Sequence, residues 1–166
     1  MPDTLFTIRR ESAADAAAVA ALNDTVFGPG RYVRAAYRLR EGVAPDLTLS
    51  VVAEMAGRII GSVRMTPILI GSHPAYLLGP LVVETAHQNR GIGKALVAAA
   101  VSNARAAGHA LVLLVGDEPY YGPLGFRRVS TADVVMPGPI DPQRLLVAEL
   151  REGAGTGLAG AVVRVG

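Results

Sequence analysis

One segment in the middle of the chain combines glycines, a lysine and amide side chains in an order suited to binding phosphate. It runs Leu81-Val-Val-Glu-Thr-Ala-His-Gln88-Asn-Arg-Gly91-Ile-Gly93-Lys94-Ala-Leu96, which predicts a strand, a loop and the start of a helix. The first amides of a helix have no intrahelical partner and carry the positive end of its dipole. Glycine lets a phosphate approach that backbone closely. The segment therefore predicts an anion site, to which three side chains add donors or charge: Asn89, Arg90 and Lys94.

Two familiar phosphate motifs do not fit this loop. The dinucleotide fingerprint requires Gly or Ala where Leu96 stands. The P-loop requires Gly-Lys-Ser/Thr after four intervening residues, and the spacing here is different. A plain strand-to-helix turn is the remaining structural alternative.

Composition limits the classes of protein to which the chain can belong. Its 166 residues, 51% of them apolar, suffice for one core, so we expect a single domain over residues 1–166. The lack of cysteine excludes disulfides, thiolate metal ligands and a cysteine nucleophile. The net charge of +2 argues against nucleic acid as a partner. Because there is no signal-like start and no apolar run of roughly 20 residues, we expect no membrane association and a cytoplasmic location.

The elements that must position the loop follow from apolar periodicity and from Gly and Pro punctuation. Pro cannot donate to a strand ladder, so Gly79-Pro80 predicts a bulge and a splayed strand. The apolar helix after the loop and the wholly apolar strand after it predict a buried, parallel strand-helix-strand unit, followed by an antiparallel end of the sheet. Strands are predicted at 4–9, 47–54, 58–70, 76–83, 110–115, 126–130, 145–150 and 161–165, and helices at 12–26, 31–40 and 91–107.

Two motifs together resemble those of the GCN5-related N-acetyltransferase (GNAT) superfamily. The first, Gln88-x-x-Gly91-x-Gly93, resembles its pyrophosphate signature, and the second, Tyr121-x-x-x-Gly125-Phe126, resembles its Tyr-x-x-x-Gly-Phe segment. The likeness covers nearly all of residues 4–151. Within the superfamily, the segments after Gly116 and Leu145 are similar to the YhbS-like predicted bacterial acetyltransferases.

The resemblance implies an α/β (α+β) fold, with a central mixed, mostly antiparallel sheet that splays into a V at the cofactor site and is flanked by helices. It implies acetyl-CoA as co-substrate and, as partner, a small-molecule primary amine or, less favoured, a peptide. In that mechanism the neutral amine attacks the thioester, a backbone N–H near Val82 stabilises the oxyanion, and Tyr121 protonates the thiolate. The implied cofactor-binding residues are Leu81, Val82, Val83, Gln88, Asn89, Arg90, Gly91, Ile92, Gly93 and Lys94.

The general base stays open. Many relatives carry a Glu on the strand after the cofactor helix, but residues 110–115 contain no ionisable group. Asp117, Glu84 and Glu54 are candidates, although Asp117 also suits a turn or helix cap and Glu54 a surface charge at a hairpin end. A non-catalytic acyl-CoA-binding or sensing module is therefore the alternative function.

Several features have a plainer interpretation. Lys94 can be a solvated charge, and Tyr121 can simply pack beside Phe126. Arg31, Arg34 and Arg38 share one helix side that we expect to be solvated, although it could recruit an acidic substrate. His73, His87 and His109 lack metal-ligand spacing, so we assign no metal. Exposed sheet edges make a homodimer plausible.

Overall fold

A nine-stranded mixed sheet with helices packed on it forms the centre of the computed structural model, which describes residues 5–28 and 35–165. The helices are α1 (Ala16–Phe27), α2 (Ala35–Arg40), α3 (Ile92–Ala106) and α4 (Glu118–Tyr121). The strands are β1 (Thr7–Arg10), β2 (Val51–Met55), β3 (Arg58–Ile70), β4 (His73–Val83), β5 (Leu111–Val115), β6 (Arg127–Arg128), β7 (Val134–Val135), β8 (Leu145–Glu149) and β9 (Gly160–Arg164).

The sheet is open and mostly antiparallel, in the order β1-β2-β3-β4-β5-β8-β6. Only β4 and β5 pair in parallel along this path, which confirms the predicted strand-helix-strand unit through α3. The antiparallel end was predicted incompletely: β8 does pair antiparallel with β5 and β6, but β9 returns to the far end of β3 and runs parallel to β7. Two-residue strands such as β7 carry too little pattern to be recognised in a sequence.

Local sequence explains the elements that lead into the site. Ser12 and Asp15 form the predicted capping box before α1, with the Ser12 amide donating to the Asp15 carboxylate at 2.7 Å. The β2–β3 hairpin closes through Ala56 and Gly57, both with left-handed backbone angles, as a two-residue turn requires. Of the helix predicted at 31–40, the structure describes residues 35–40, which form α2. Residues 31–34, with Arg31 and Arg34, lie outside the described residues.

Alternating residues of β5 enter two different cores, which confirms that this strand is covered on both faces. Val112 and Leu114 pack in the cluster that holds the buried side of α3, while Leu111 and Leu113 pack in the cluster that holds Leu39 of α2. A strand buried on both faces must be apolar throughout. Packing on both faces therefore holds β5 in place, and β4 is the strand that diverges.

The predicted splay is present between β4 and β5. The two strands pair only at Tyr76–Val112 and Leu77–Leu113. Immediately afterwards the register of β4 against β3 shifts, so that Gly79 and Pro80 together face a single residue of β3. Because proline has no N–H, the ladder is interrupted there and β4 leaves β5. The V-shaped gap that results is the structural basis of the site.

Candidate functional site

Two adjoining cavities lie along the divergence of β4 from β5. The first, of about 640 Å³, is lined from both arms of the V and is called the gap cavity here; its walls include residues 78–81 and 114–117. The second, of about 570 Å³, is lined by residues 81–83 and by the loop that opens α3, and is called the loop cavity. Phe27, Leu81 and Tyr120 line both cavities, so the two lie side by side.

The loop cavity ends at the N-terminus of α3. Asn89 and Gly91 hold left-handed backbone angles, with φ of 63° and 84°, which turn the chain sharply into the helix. The first helical hydrogen bond runs from the Ala95 amide to the Gly91 carbonyl at 3.0 Å. The amides of residues 92–94 precede it and have no partner within the helix. The first turn carries no acidic residue, so the positive helix end is open to an external anion.

The edge of β4 supplies the other wall of the loop cavity. The Glu84 amide donates to the Ile60 carbonyl of β3 at 2.8 Å, so by strand alternation the backbone groups of Leu81 and Val83 face away from β3. The Gln88 side chain donates to the Val83 carbonyl at 3.0 Å, as expected for a carbonyl on that edge. Of the ten cofactor-binding residues expected from the sequence, all but the exposed Arg90 line this cavity.

Tyr121 lies against the wall of the gap cavity, at the end of α4. Its ring packs edge-on against Phe126, with centroids 5.9 Å apart, and Gly116 leaves room for it, since a Cβ there would lie 2.4 Å from Cε2 of the ring. Burial raises the pKa of Tyr121 to about 12. The phenol is therefore protonated at neutral pH and can act as a proton donor.

Tyr120 is a site residue that the sequence did not single out. A Cβ on Gly93 would lie 2.5 Å from its hydroxyl oxygen, and the Lys94 Nζ lies 5.5 Å from its ring centroid. Its ring also packs edge-on against Tyr121 at 4.8 Å. The only sequence signal for Tyr120 was its position next to Tyr121 in the second motif. Two adjacent tyrosines do not indicate which ring faces the helix start and which faces Phe126.

The three carboxylates considered as bases lie in different surroundings. Asp117 lines the gap cavity with Tyr121, and its Oδ1 lies 3.2 Å from Nε of Arg144. Glu84 lies outside the lining of both cavities and pairs with Arg58, which lowers the pKa of its carboxyl group. Glu54 also lies outside both linings, and its Oε1 accepts a hydrogen bond from Nε of Arg9 at 3.4 Å.

Residues 5–28 and 35–165 contain neither a cluster of metal-binding side chains nor a membrane-spanning helix. No group of three or more His, Asp or Glu side chains there is arranged to hold a metal ion. No helix in these ranges combines the length and apolar character needed to cross a bilayer. Arg38 of the predicted basic side is exposed and also lines the gap cavity.

The geometry agrees with a family-level comparison. A model of the acetyltransferase (GNAT) domain matches residues 46–128, which is half of the chain. The chain belongs to the GNAT acetyltransferase family. The matched GNAT region contains the loop of the anion site, α3, β5, and both tyrosines. No curated protein matches the chain in sequence.

Solved GNAT structures resemble the chain over most of its length. The N-acetyltransferase YhbS from Escherichia coli, in complex with CoA, is 25% identical with a TM-score of 0.83, covering 99% of this chain and 92% of that one. A GNAT acetyltransferase from Brucella melitensis, in complex with acetyl-CoA, is 30% identical with a TM-score of 0.64, covering 90% and 97%. A putative N-acetyltransferase from Lactobacillus plantarum shares the fold at 21% identity and a TM-score of 0.65, covering 89% and 100%. The YhbS-like resemblance is thereby confirmed.

Proposed function

We propose that this GNAT protein transfers the acetyl group of acetyl-CoA to a primary amine of a small molecule, by direct attack in a ternary complex. The observation that carries the proposal is the pair of adjoining cavities, one at the N-terminus of α3 and one in the β4–β5 gap beside Tyr121. Together they would place an anion site and a proton donor along the same edge of β4. The CoA and acetyl-CoA in the Escherichia coli and Brucella melitensis structures support the choice of cofactor.

The cofactor would bind chiefly through backbone groups. The amides of residues 92–94 and the helix dipole suit a pyrophosphate, with Lys94 adding charge and Arg90 positioned outside the cavity wall. The free edge of β4 at residues 81–83 offers N–H and C=O groups to the pantetheine arm. The thioester would then lie in the gap, beside Tyr121.

The transfer needs one bond to form and one to break. The neutral amine attacks the thioester carbon, and a backbone N–H of Leu81 or Val83, on either side of Val82, stabilises the oxyanion. The tetrahedral intermediate then expels the thiolate, which takes the proton of Tyr121. The proton lost by the amine goes to a base, directly or through water. We propose Asp117 for this role, since it lines the gap cavity and Glu84 and Glu54 do not.

A second candidate is a non-catalytic acyl-CoA-binding or sensing module. Two observations favour it: β5 carries no ionisable side chain, and Asp117 is already paired with Arg144. Such a module would retain the loop cavity and bind the cofactor without turnover.

The first experiment is thermal unfolding with graded acetyl-CoA and CoA, with NAD and ATP as matched nucleotide controls. A ligand at about 100 times its dissociation constant stabilises the folded state by roughly 2.7 kcal/mol. We expect a saturable rise in Tm with acetyl-CoA and CoA only. A lack of response, with calorimetry showing no binding to folded protein, would remove both candidate functions.

Release of the CoA thiol in a broad panel of amines then separates the two candidates. Sustained release with any acceptor, above the rate of acetyl-CoA hydrolysis, establishes the transferase. Tight acetyl-CoA binding with no release across the panel establishes the binding module instead.

A further inference from the structure

Three side chains lie on the boundary between the loop cavity and the gap cavity. Phe27 at the end of α1, Leu81 on β4 and Tyr120 on α4 line both cavities. A molecule that occupies both cavities crosses this boundary and therefore passes these side chains. Of the three, the sequence predicts a cofactor contact for Leu81 alone.

Tyr120 reaches from α4 to the first turn of α3. A Cβ on Gly93 would lie 2.5 Å from the Tyr120 hydroxyl oxygen and 3.6 Å from Cδ2 of Leu81, so the helix start, β4 and α4 meet at this glycine. Nζ of Lys94 lies 5.5 Å from the centroid of the Tyr120 ring. The hydroxyl end of the side chain therefore adjoins the predicted anion site.

The ring of Tyr120 also adjoins the proposed proton donor. The rings of Tyr120 and Tyr121 pack edge-on, with centroids 4.8 Å apart. Tyr121 makes its other contacts with Gly116 and Phe126. Since consecutive helical residues point about 100° apart, the short helix α4 directs one tyrosine to the start of α3 and the next to the wall of the gap.

The order of these groups in the protein matches the order of the groups in the cofactor. In acetyl-CoA, the pantetheine arm connects the pyrophosphate to the thioester. In the protein, Tyr120 lies between the anion site at the start of α3 and Tyr121, beside which the thioester would lie. The part of the cofactor that passes Tyr120 is therefore the arm.

The side chain of Tyr120 suits this part of the cofactor. It is half-buried, and burial raises the pKa of its phenol, so the ring is uncharged at neutral pH. The carbon groups of the arm can pack on such an aromatic surface. Contacts with α3 and Tyr121 already restrain the ring, so little further ordering is needed when a ligand binds.

We propose that Tyr120 binds the pantetheine arm of the cofactor where the arm crosses from the loop cavity to the gap cavity, with its ring as the contact surface. The inference rests on the proposed function, since it takes the cofactor to be acetyl-CoA or CoA. It applies to the transferase and to the binding module alike, because both bind this cofactor. It extends the cofactor site to α4, on which the sequence predicts only the proton donor.

A ligand that lacks the arm tests the inference. Adenosine 3′-phosphate 5′-diphosphate is CoA without pantetheine, and it is titrated calorimetrically beside CoA into the unmodified protein and Tyr120→Ala. Loss of the apolar contact with the ring should weaken CoA binding about tenfold and leave binding of the nucleotide unchanged. Equal affinity of the two proteins for CoA, or a loss for the nucleotide as large as that for CoA, would overturn the proposal.

Two further variants locate the effect in the ring of Tyr120. Tyr120→Phe keeps the ring and should retain most of the affinity for CoA; a loss as large as that in Tyr120→Ala would exclude the ring as the contact surface. Tyr76 is a matched control, since it is also half-buried, donates its hydroxyl to Asp46 at 2.9 Å and lies outside both cavity linings. Tyr76→Ala should leave both affinities unchanged. Circular dichroism and Tm confirm that each variant is folded.

A second measurement does not depend on removing the ring. The chain has no tryptophan, so Tyr120→Trp introduces a single indole at the boundary. Binding of CoA should change its emission more than binding of the nucleotide without the arm, and neither ligand should change the emission of Tyr76→Trp. An emission of Tyr120→Trp that stays constant while calorimetry shows CoA bound would overturn the proposal, even if Tyr120→Ala does not fold.

Failure of this inference differs from failure of the proposed function. If the unmodified protein binds neither CoA nor acetyl-CoA, the proposed function fails and the contact fails with it. If the unmodified protein binds CoA and folded Tyr120→Ala binds it equally well, the contact alone fails. Neither result requires turnover, so the choice of acceptor amine does not affect the test.

Discussion

The loop cavity and the gap cavity adjoin each other but are built in different ways. Most of the loop cavity comes from one stretch, residues 81–94, in which a strand, a loop and a helix start follow one another. The gap cavity draws on segments scattered from residue 27 to residue 144. The loop cavity includes the backbone that opens α3, whereas the gap cavity includes the functional side chains of Tyr121 and Asp117. Cofactor binding should therefore respond to added bulk, and the chemical step to the loss of individual functional groups.

The largest effect is expected in the gap cavity, at Tyr121. Tyr121→Phe removes the proposed proton donor and should lower kcat about 10²- to 10⁴-fold, the range for general acid catalysis. Because the phenol belongs to the gap cavity, the affinity for acetyl-CoA, measured by calorimetry, should change little. An unaltered kcat at every pH would remove Tyr121 from the mechanism and leave it as a packing residue beside Phe126.

The pH profile of the unmodified protein gives an independent check on Tyr121. With its pKa raised to about 12 by burial, the phenol keeps its proton up to about pH 11. Turnover should therefore rise through the pKa of the acceptor amine and then stay level, for as long as the protein is folded. Since folding raises this pKa, the associated stability is present below the unfolded value of about 10 and is lost between pH 10 and 12. A fall in turnover near pH 9 that Tyr121→Phe abolishes would contradict the assigned pKa.

The next largest effect concerns added bulk in the loop cavity. Gly93→Val should weaken acetyl-CoA binding about tenfold or more, because the side chain occupies space at the helix N-terminus that a phosphate needs. Calorimetry measures the affinity, and intact binding would refute the assignment of the loop.

Tyr120 sharpens this test, because its hydroxyl already occupies the space beside Gly93. In Gly93→Ala the new Cβ would lie 2.5 Å from that hydroxyl oxygen but 3.8 Å from the ring carbon that bears it. If the clash with Tyr120 causes the loss of affinity, the double variant Gly93→Ala/Tyr120→Phe should restore binding. If the phosphate itself needs the space, the double variant should bind as weakly as Gly93→Ala.

The smallest effects come from a matched pair of glycines around Tyr121. Gly116→Ala places a Cβ 2.4 Å from the Tyr121 ring, so overpacking should cost about 1–3 kcal/mol and kcat should fall roughly tenfold as the phenol shifts. Gly122 has helical angles (φ −54°) and nothing within 4 Å of its Cβ position. Gly122→Ala should leave kcat unchanged and stabilise the fold by about 0.4–1 kcal/mol. Chemical denaturation and steady-state assays check both; equal effects would mean that Gly116 does not position Tyr121.

Much of the fold was predictable because its signals are local. The wholly apolar run of β5, the proline within β4 and the capping box before α1 each have one physical interpretation, and the structure bears each of them out. The return of β9 to β3 was not predictable, since strand pairing depends on which edges are left open once the other elements have packed.

The same contrast holds for the site. By itself the sequence predicted the anion-binding loop and the tyrosine motif, because the residues of each are adjacent in the chain, where local geometry fixes their directions. Only the tertiary structure decided that Asp117 faces the gap while Glu84 does not, that Tyr120 lies against Gly93, and that Arg40 lies on Gly79. These groups are distant in sequence, or differ only in which way a side chain turns. Their meeting depends on the packing of α2 and β5 around the divergence of β4, which no local pattern records.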